Sequence, residues 1–332
     1  MNIALKAPKI RPRPLKHGRK APYSKHNKAP PVTVCIAAIS NAGLNQRPII
    51  LAAADRMITI GDIEFEPEQT KAFYLASHTL VLMAGEMHLH AHAIPRVLGA
   101  IKNHSSGPLL VQEIADYYAM EFAVYRRTLA ERSILTPLGI TMDTLPQKQR
   151  EMSDHIAELI NQELQLSQIK AQAIIAGLDP TGPHIYVVSD PGVSRSFDTE
   201  SFAVSGLGEE LARPQLMLAG YHRRWNAVDA AMLIYSAKRR AEMVSSVGPQ
   251  TDMFIIADGL TPPIYQLNPS DHKEVGKIFK RQLQREKRSQ QQSSRDLAKY
   301  IQKLGTGHQA GGMPTPQQPP TQQPSSDTTT PN

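Results

Sequence analysis

Thr33, Asp55, Lys71 and Gly85 bring a hydroxyl, a carboxylate, an ammonium and a glycine backbone into one stretch of the chain. A threonine hydroxyl is a poor nucleophile near neutral pH. Acyl-transfer chemistry at Thr33 therefore requires a base to take its proton, and no histidine is spaced to be that base. Taken singly, each residue has a plain structural role: Asp55 and Lys71 as an ion pair, Thr33 as a strand residue, Gly85 as a turn before a helix. The case for chemistry rests on their order and on the strands that carry them.

Two apolar runs, Val34 to Ile39 and Ile49 to Ala54, are separated by a turn rich in Asn, Gly and Pro and predict a hairpin of buried strands running into Asp55 and Arg56. Ala72 to Leu75 and Thr79 to Met83 predict a second hairpin around Ala76, Ser77 and His78, with Lys71 at its start and Ala84-Gly85 at its exit. The four groups thus fall at strand ends, where a sheet can point them into one cleft.

Lys71 stands sixteen residues after Asp55, and Gly85 fourteen after Lys71. With the alanine-rich strand that closes on Ala54-Asp55-Arg56 and with the Ala84-Gly85 pair, this stretch resembles the β-type subunits of the proteasome and their single-ring bacterial relatives, members of the N-terminal-nucleophile (Ntn) hydrolase superfamily. The resemblance implies an α+β fold, a four-layer α-β-β-α sandwich of two antiparallel sheets with helices outside. It implies a threonine nucleophile whose own α-amine, with a pKa of about 7.7 to 8, acts as the base. On that pattern Lys71 favours the Thr33 alkoxide, Asp55 holds Lys71, and the Gly85 N–H donates to the oxyanion, a contact typically worth about 3 to 4 kcal/mol. The substrate would be a peptide or related amide, no metal or organic cofactor is required, and ring-like homo-oligomers are expected.

The likeness continues downstream. Residues 171–192 predict a hairpin whose turn, Gly177-Leu178-Asp179-Pro180-Thr181-Gly182, resembles the family's second-half hairpin. At Ser205-Gly206-Leu207-Gly208 the family has Gly-Ser-Gly, so Gly206 stands where a supporting serine belongs and Ser205 is a displaced candidate. Near the end of a helix predicted over Asn226 to Val244, with Val228, Ala231, Leu233, Ile234, Ala237 and Ala241 as its apolar face, Glu242 and Ser245 keep the family's acid-to-serine interval of three but with the longer acid. A carboxylate there opposes the helix dipole and needs another partner.

Residues 1–32 form a basic, Pro-rich leader: the first 31 hold nine Lys or Arg, no Asp or Glu and six prolines, a composition that predicts disorder. While they are attached, the nitrogen of Thr33 is an amide and cannot act as a base. Proteolysis after Val32, initiation of translation at position 32 with loss of the initiator methionine, or an intact and inactive chain are the three outcomes, and initiation at position 32 is the expected one. Residues 33–268 form the hydrolase-like domain, with a helical insertion at about 133–168. Residues 269–303 are a basic helical extension, and 304–332 a Gly-, Pro-, Gln-, Thr- and Ser-rich tail expected to be disordered.

The net charge of +7 divides unevenly. Ten basic and four acidic residues give +6 over 271–303, the leader carries +9, residues 32–270 carry −7, and Asp327 in the tail adds −1. A nucleic-acid reading therefore rests on the tails and not on the core. The single cysteine, Cys35, excludes an internal disulfide and fits a reducing, cytoplasmic compartment. No apolar run reaches the eighteen or so residues of a membrane span. His88, His90 and His92 lie in a helix predicted over Glu86 to His104 and read as packing or surface residues, with no third metal ligand nearby. A second helix is predicted over Leu109 to Glu131, with Leu110, Ile114, Tyr118, Phe122, Tyr125 and Leu129 on its buried face, and a third over Gln147 to Leu166. The competing readings are a proteasome-fold subunit that assembles without cutting and a small-molecule amidase of the same superfamily.

Overall fold

The two apolar runs at the start of the domain become β1 (Cys35–Ser40) and β2 (Ile49–Asp55), paired antiparallel with Cys35 opposite Ala54 and Ser40 opposite Ile49. Every residue of both strands is buried, which explains apolar runs without alternation: the pair is covered on both faces. The computed structural model describes residues 33–41, 47–60, 63–244 and 247–307, so the leader at 1–32, the predicted site residue Ser245 and the tail from 308 lie outside the described residues.

A short hairpin that the sequence did not announce, β3 (Ile58–Ile60) and β4 (Ile63–Phe65), follows β2. Next come β5 (Ala72–Ala76) and β6 (Thr79–Gly85), the expected second hairpin. The helices α1 (Met87–Lys102) and α2 (Val111–Ala130) follow, and α2 runs into a π-helical turn at Glu131–Leu135. The helix predicted over 147–166 is two helices, α3 (Leu145–Glu151) and α4 (Asp154–Leu166), because Met152 and Ser153 adopt extended backbone between them. Leu135, Ile140 and Ile160 give this insertion a small core of its own.

The chain continues through β7 (Ala171–Asp179), β8 (Gly182–Ser189), β9 (Val193–Ser196) and β10 (Phe202–Ser205). Then come α5 (Glu209–Leu218), α6 (Ala227–Ala241), β11 (Thr251–Ala257) and β12 (Ile264–Gln266). Asn226 caps α6 by accepting the Asp229 N–H at 2.9 Å, as a residue of its type does at that position.

Two five-stranded antiparallel sheets result, ordered β10-β1-β2-β11-β12 and β5-β6-β7-β8-β9. One hydrophobic cluster draws on both, with Ala37, Ala52 and Phe254 from the first and Leu82, Ile174 and Ile185 from the second, so the sheets share a core. A second cluster joins Val81, Met83 and Ile175 of the second sheet to Leu89 and Val97 of α1 and to Ile114, Tyr118 and Phe122 of α2. Helix α6 lies against β1 and β2, and α5 against β10. The molecule is thus a mixed α/β fold with two antiparallel sheets and flanking helices.

Two residues assigned to apolar helix faces from the sequence point outward instead: Val228 on α6 and Leu129 on α2 are both exposed. Residues 269–332 form a separate unit, whose described part is one long helix, α7 (Pro269–Gly307). It reaches into the region expected to be disordered, as far as Gly307. Among the described residues no helix is long and apolar enough to cross a membrane.

Candidate active site

Thr33 precedes β1, Asp55 closes β2 and Lys71 precedes β5, so the register of the first two strands and the start of the third fix where these side chains meet. Lys71 Nζ donates to Thr33 Oγ1 at 2.6 Å and lies 3.2 Å from each carboxylate oxygen of Asp55. Thr33 Oγ1 in turn donates to Asp55 Oδ1. All three residues are buried, with exposures of 1%, 0% and 3% for Thr33, Asp55 and Lys71. A carboxylate taken out of water is tolerable only when its lone pairs are filled. Asp55 meets that condition: Oδ1 also accepts the Val34 N–H at 2.9 Å, and Oδ2 accepts the N–H groups of Met57 at 2.9 Å and Gly248 at 3.3 Å. A hydroxyl held between a buried ammonium and a buried carboxylate is the arrangement in which loss of its proton is favoured by a fixed nearby positive charge.

Asp55 does more than hold Lys71, the role the resemblance implied, because it also touches the hydroxyl itself. From Asp55 a chain of contacts runs through Gly248 and Lys238 to Glu242. That carboxylate does not reach Thr33; it accepts from Lys238 Nζ at 2.7 Å and from Arg239 Nη1 at 2.9 Å. These two cations, one turn upstream on α6, are the partners that a carboxylate at a helix C-terminus needs. Lys238 is fully buried, and burial pulls its pKa below the usual lysine range, against the opposing pull of Glu242. Its ammonium also donates to the carbonyls of Gly248 at 2.7 Å and Gln250 at 2.9 Å. Gly248 is the residue whose N–H reaches Asp55, so Glu242 is linked to the site through Lys238 and this loop, which Arg239 also reaches at the Pro249 carbonyl, at 3.2 Å.

Arg56, adjacent to Asp55, grips Asp252 in a two-pronged contact at 2.8 and 2.6 Å, and Asp252 sits opposite Ala54 in the β11–β2 register. The pair ties the exit of β2 to the start of β11.

Gly85 ends β6 opposite Ala171, with φ of +89°. A Cβ there would lie 2.0 Å from the Lys170 carbonyl oxygen, so no other residue fits. Cys35 Sγ, 3.5 Å from the Met83 carbonyl oxygen, brings the start of β1 against the end of β6, and hence the Thr33 end of one strand to the Gly85 end of the other. Burial, and then Asp55, push the Cys35 thiol up to about 12, with Lys71 pulling the other way. It stays a thiol near neutral pH, which leaves Thr33 as the nucleophile candidate of this cluster.

Gly206, where the family pattern expects a serine, has φ of +93°, and a Cβ on it would lie 2.2 Å from the Thr33 carbonyl oxygen. Backbone packed this close leaves no space for a side chain. Ser205 sits one strand away from β2, opposite Cys35 on β1, and its buried Oγ has no hydrogen-bond partner among the described residues. It does not support Thr33.

Sequence reasoning missed Lys238, Gly248 and Asp252. For Lys238 a signal was available, a lysine between Ile234, Ala237 and Ala241 on a buried helix face; for the other two the sequence carries none. Among the described residues no group of three or more His, Cys, Asp or Glu could hold a metal ion. No protein-family model and no curated protein matches the chain.

Proposed function

We propose that this chain is an Ntn hydrolase of proteasome type, built as an α-β-β-α sandwich, that cuts peptide or related amide bonds with Thr33 as its N-terminal residue. The observation that carries the reading is the buried Thr33-Lys71-Asp55 contact set, with Lys71 Nζ at 2.6 Å from the hydroxyl. In the reaction Thr33 Oγ attacks the substrate carbonyl carbon while the Thr33 α-amine takes the hydroxyl proton. Lys71 stabilises the developing alkoxide, and the Gly85 N–H receives the carbonyl oxygen as it becomes an oxyanion. Collapse of the tetrahedral intermediate breaks the C–N bond, and the α-ammonium returns its proton to the leaving amine. Water, activated by the same α-amine, then hydrolyses the ester on Thr33. A small amide substrate would follow the same steps, and a substrate screen separates peptidase from amidase.

A second reading, a subunit of the same fold that assembles without cutting, is favoured by one observation: Gly206 packs on the Thr33 backbone and leaves no supporting hydroxyl there. The two are separated by turnover of a fluorogenic peptide panel with protein beginning at Thr33, beside its Thr33→Ala variant. The nucleophile reading expects turnover that the variant loses by a factor of about a thousand or more. No turnover in either leaves the scaffold reading, and equal non-zero rates in both exclude Thr33 as the nucleophile.

A further inference from the structure

His90 has no part in the chemistry above, yet its imidazole is fully buried on α1 and both ring nitrogens are engaged. Nε2 lies 3.1 Å from the Ala84 carbonyl oxygen, and Nδ1 lies 3.0 Å from the Tyr118 hydroxyl on α2. A carbonyl only accepts, so Nε2 carries the ring proton and donates it; Nδ1 of the neutral ring then accepts the Tyr118 O–H. Burial lowers the His90 pKa to about 4, which keeps this pattern intact across the neutral range. The ring is also wedged edge-on against Phe122, at a centroid distance of 5.9 Å.

The acceptor is what gives this contact its meaning. The Ala84 carbonyl and the Gly85 N–H belong to one planar trans peptide unit, in which the two bonds point in opposite directions. Fixing the carbonyl therefore fixes the N–H, directed away from His90. Gly85 has no side chain with which to anchor that unit and sits at φ of +89° at the last pairs of the β6–β7 ladder, Ala84 opposite Gln172 and Gly85 opposite Ala171; His90 adds a side-chain restraint to the one the ladder supplies.

We propose that His90, itself held by Tyr118, is a positioning residue that clamps the Ala84–Gly85 peptide so that its N–H stays aimed at the oxyanion formed on Thr33. This rests on the threonine-nucleophile reading. An oxyanion donor acts in the transition state and contributes little to ground-state binding, so its misalignment lowers kcat and leaves KM nearly unchanged.

Two covalent probes separate the oxyanion step from nucleophilicity. A peptide vinyl sulfone alkylates Thr33: Oγ adds to its terminal alkene carbon, the π-electron pair moves to the carbon beside the sulfone, which takes up the proton Thr33 lost, and no carbonyl oxyanion forms. A peptide β-lactone acylates Thr33 through a tetrahedral oxyanion, with opening of its ring C–O bond. Rates of labelling at Thr33 would be measured by mass spectrometry on residues 33–332, the form that reading requires. His90→Phe, which keeps a ring but neither nitrogen, is expected to slow the β-lactone about tenfold or more while the vinyl sulfone rate changes by less than about twofold, and to lower kcat with KM unchanged. His90→Gln, with an amide donor and an acceptor, should restore most of the β-lactone rate. Tyr118→Phe should give an intermediate loss and carries the test if His90→Phe does not fold. Variants that leave the β-lactone rate unaltered, or that slow both probes equally, overturn the proposal while the nucleophile reading stands. Wild-type protein inert to both probes overturns the nucleophile reading and this proposal with it.

Discussion

Asp55 is the residue on which most of the site's hydrogen bonds converge. Its two oxygens accept from Thr33, Lys71 and three backbone N–H groups, and the carboxylate itself is fully buried. Asp55→Asn keeps the shape but leaves the Lys71 ammonium buried without its counter-charge. The expected loss is about 3 to 5 kcal/mol of stability, read from urea unfolding, together with loss of turnover. His90 gives a pH signature of a different kind. Its folded pKa of about 4 lies below the ordinary value near 6.5, so the unfolded chain binds the extra proton first as pH falls. Its contribution to stability is complete above about pH 6.5 and is lost on descent toward about pH 4, by about 3 kcal/mol in all. Unfolding of wild type and His90→Gln compared at pH 7 and pH 4 should show this extra acid loss in the wild type alone.

At the scale of elements, the strands were legible because β1, β2, β5 and β6 are short apolar runs bounded by turn residues, and burial on both faces left no other reading for β1 and β2. The spacing from Asp55 to Lys71 to Gly85 carried the core of the candidate site, since strand ends in a fixed register set which side chains meet. What was not legible depends on contacts between elements far apart in sequence. Gly248 reaches Asp55 across 193 positions, and Arg56 finds Asp252 across 196; neither leaves a local periodicity. The split of the helix at Met152 and Ser153 was missed because a Ser at a cap position can equally sit inside a polar helix. Lys238 shows the element-scale dependence most clearly, linking the end of α6 to the loop before β11 through Glu242 and the carbonyls of Gly248 and Gln250. Lys238→Met fills the space but leaves two carbonyls without that donor and removes one of the two cations on Glu242. It is expected to destabilise the fold by about 3 kcal/mol and to lower turnover as the Gly248 N–H drifts from Asp55, checked by thermal unfolding beside peptide kinetics.

For the whole molecule, two sheets that share one core bring together the strand ends that carry Thr33, Asp55 and Lys71. On the proposed reading, activity requires one event along the chain: an amide nitrogen at Thr33 becoming an amine. The most direct measurement is the N-terminal residue, by intact mass and sequencing, of turnover-competent protein purified from its own source. The account predicts Thr33 in first place. Full turnover by protein that still carries residues ahead of Thr33 would contradict it.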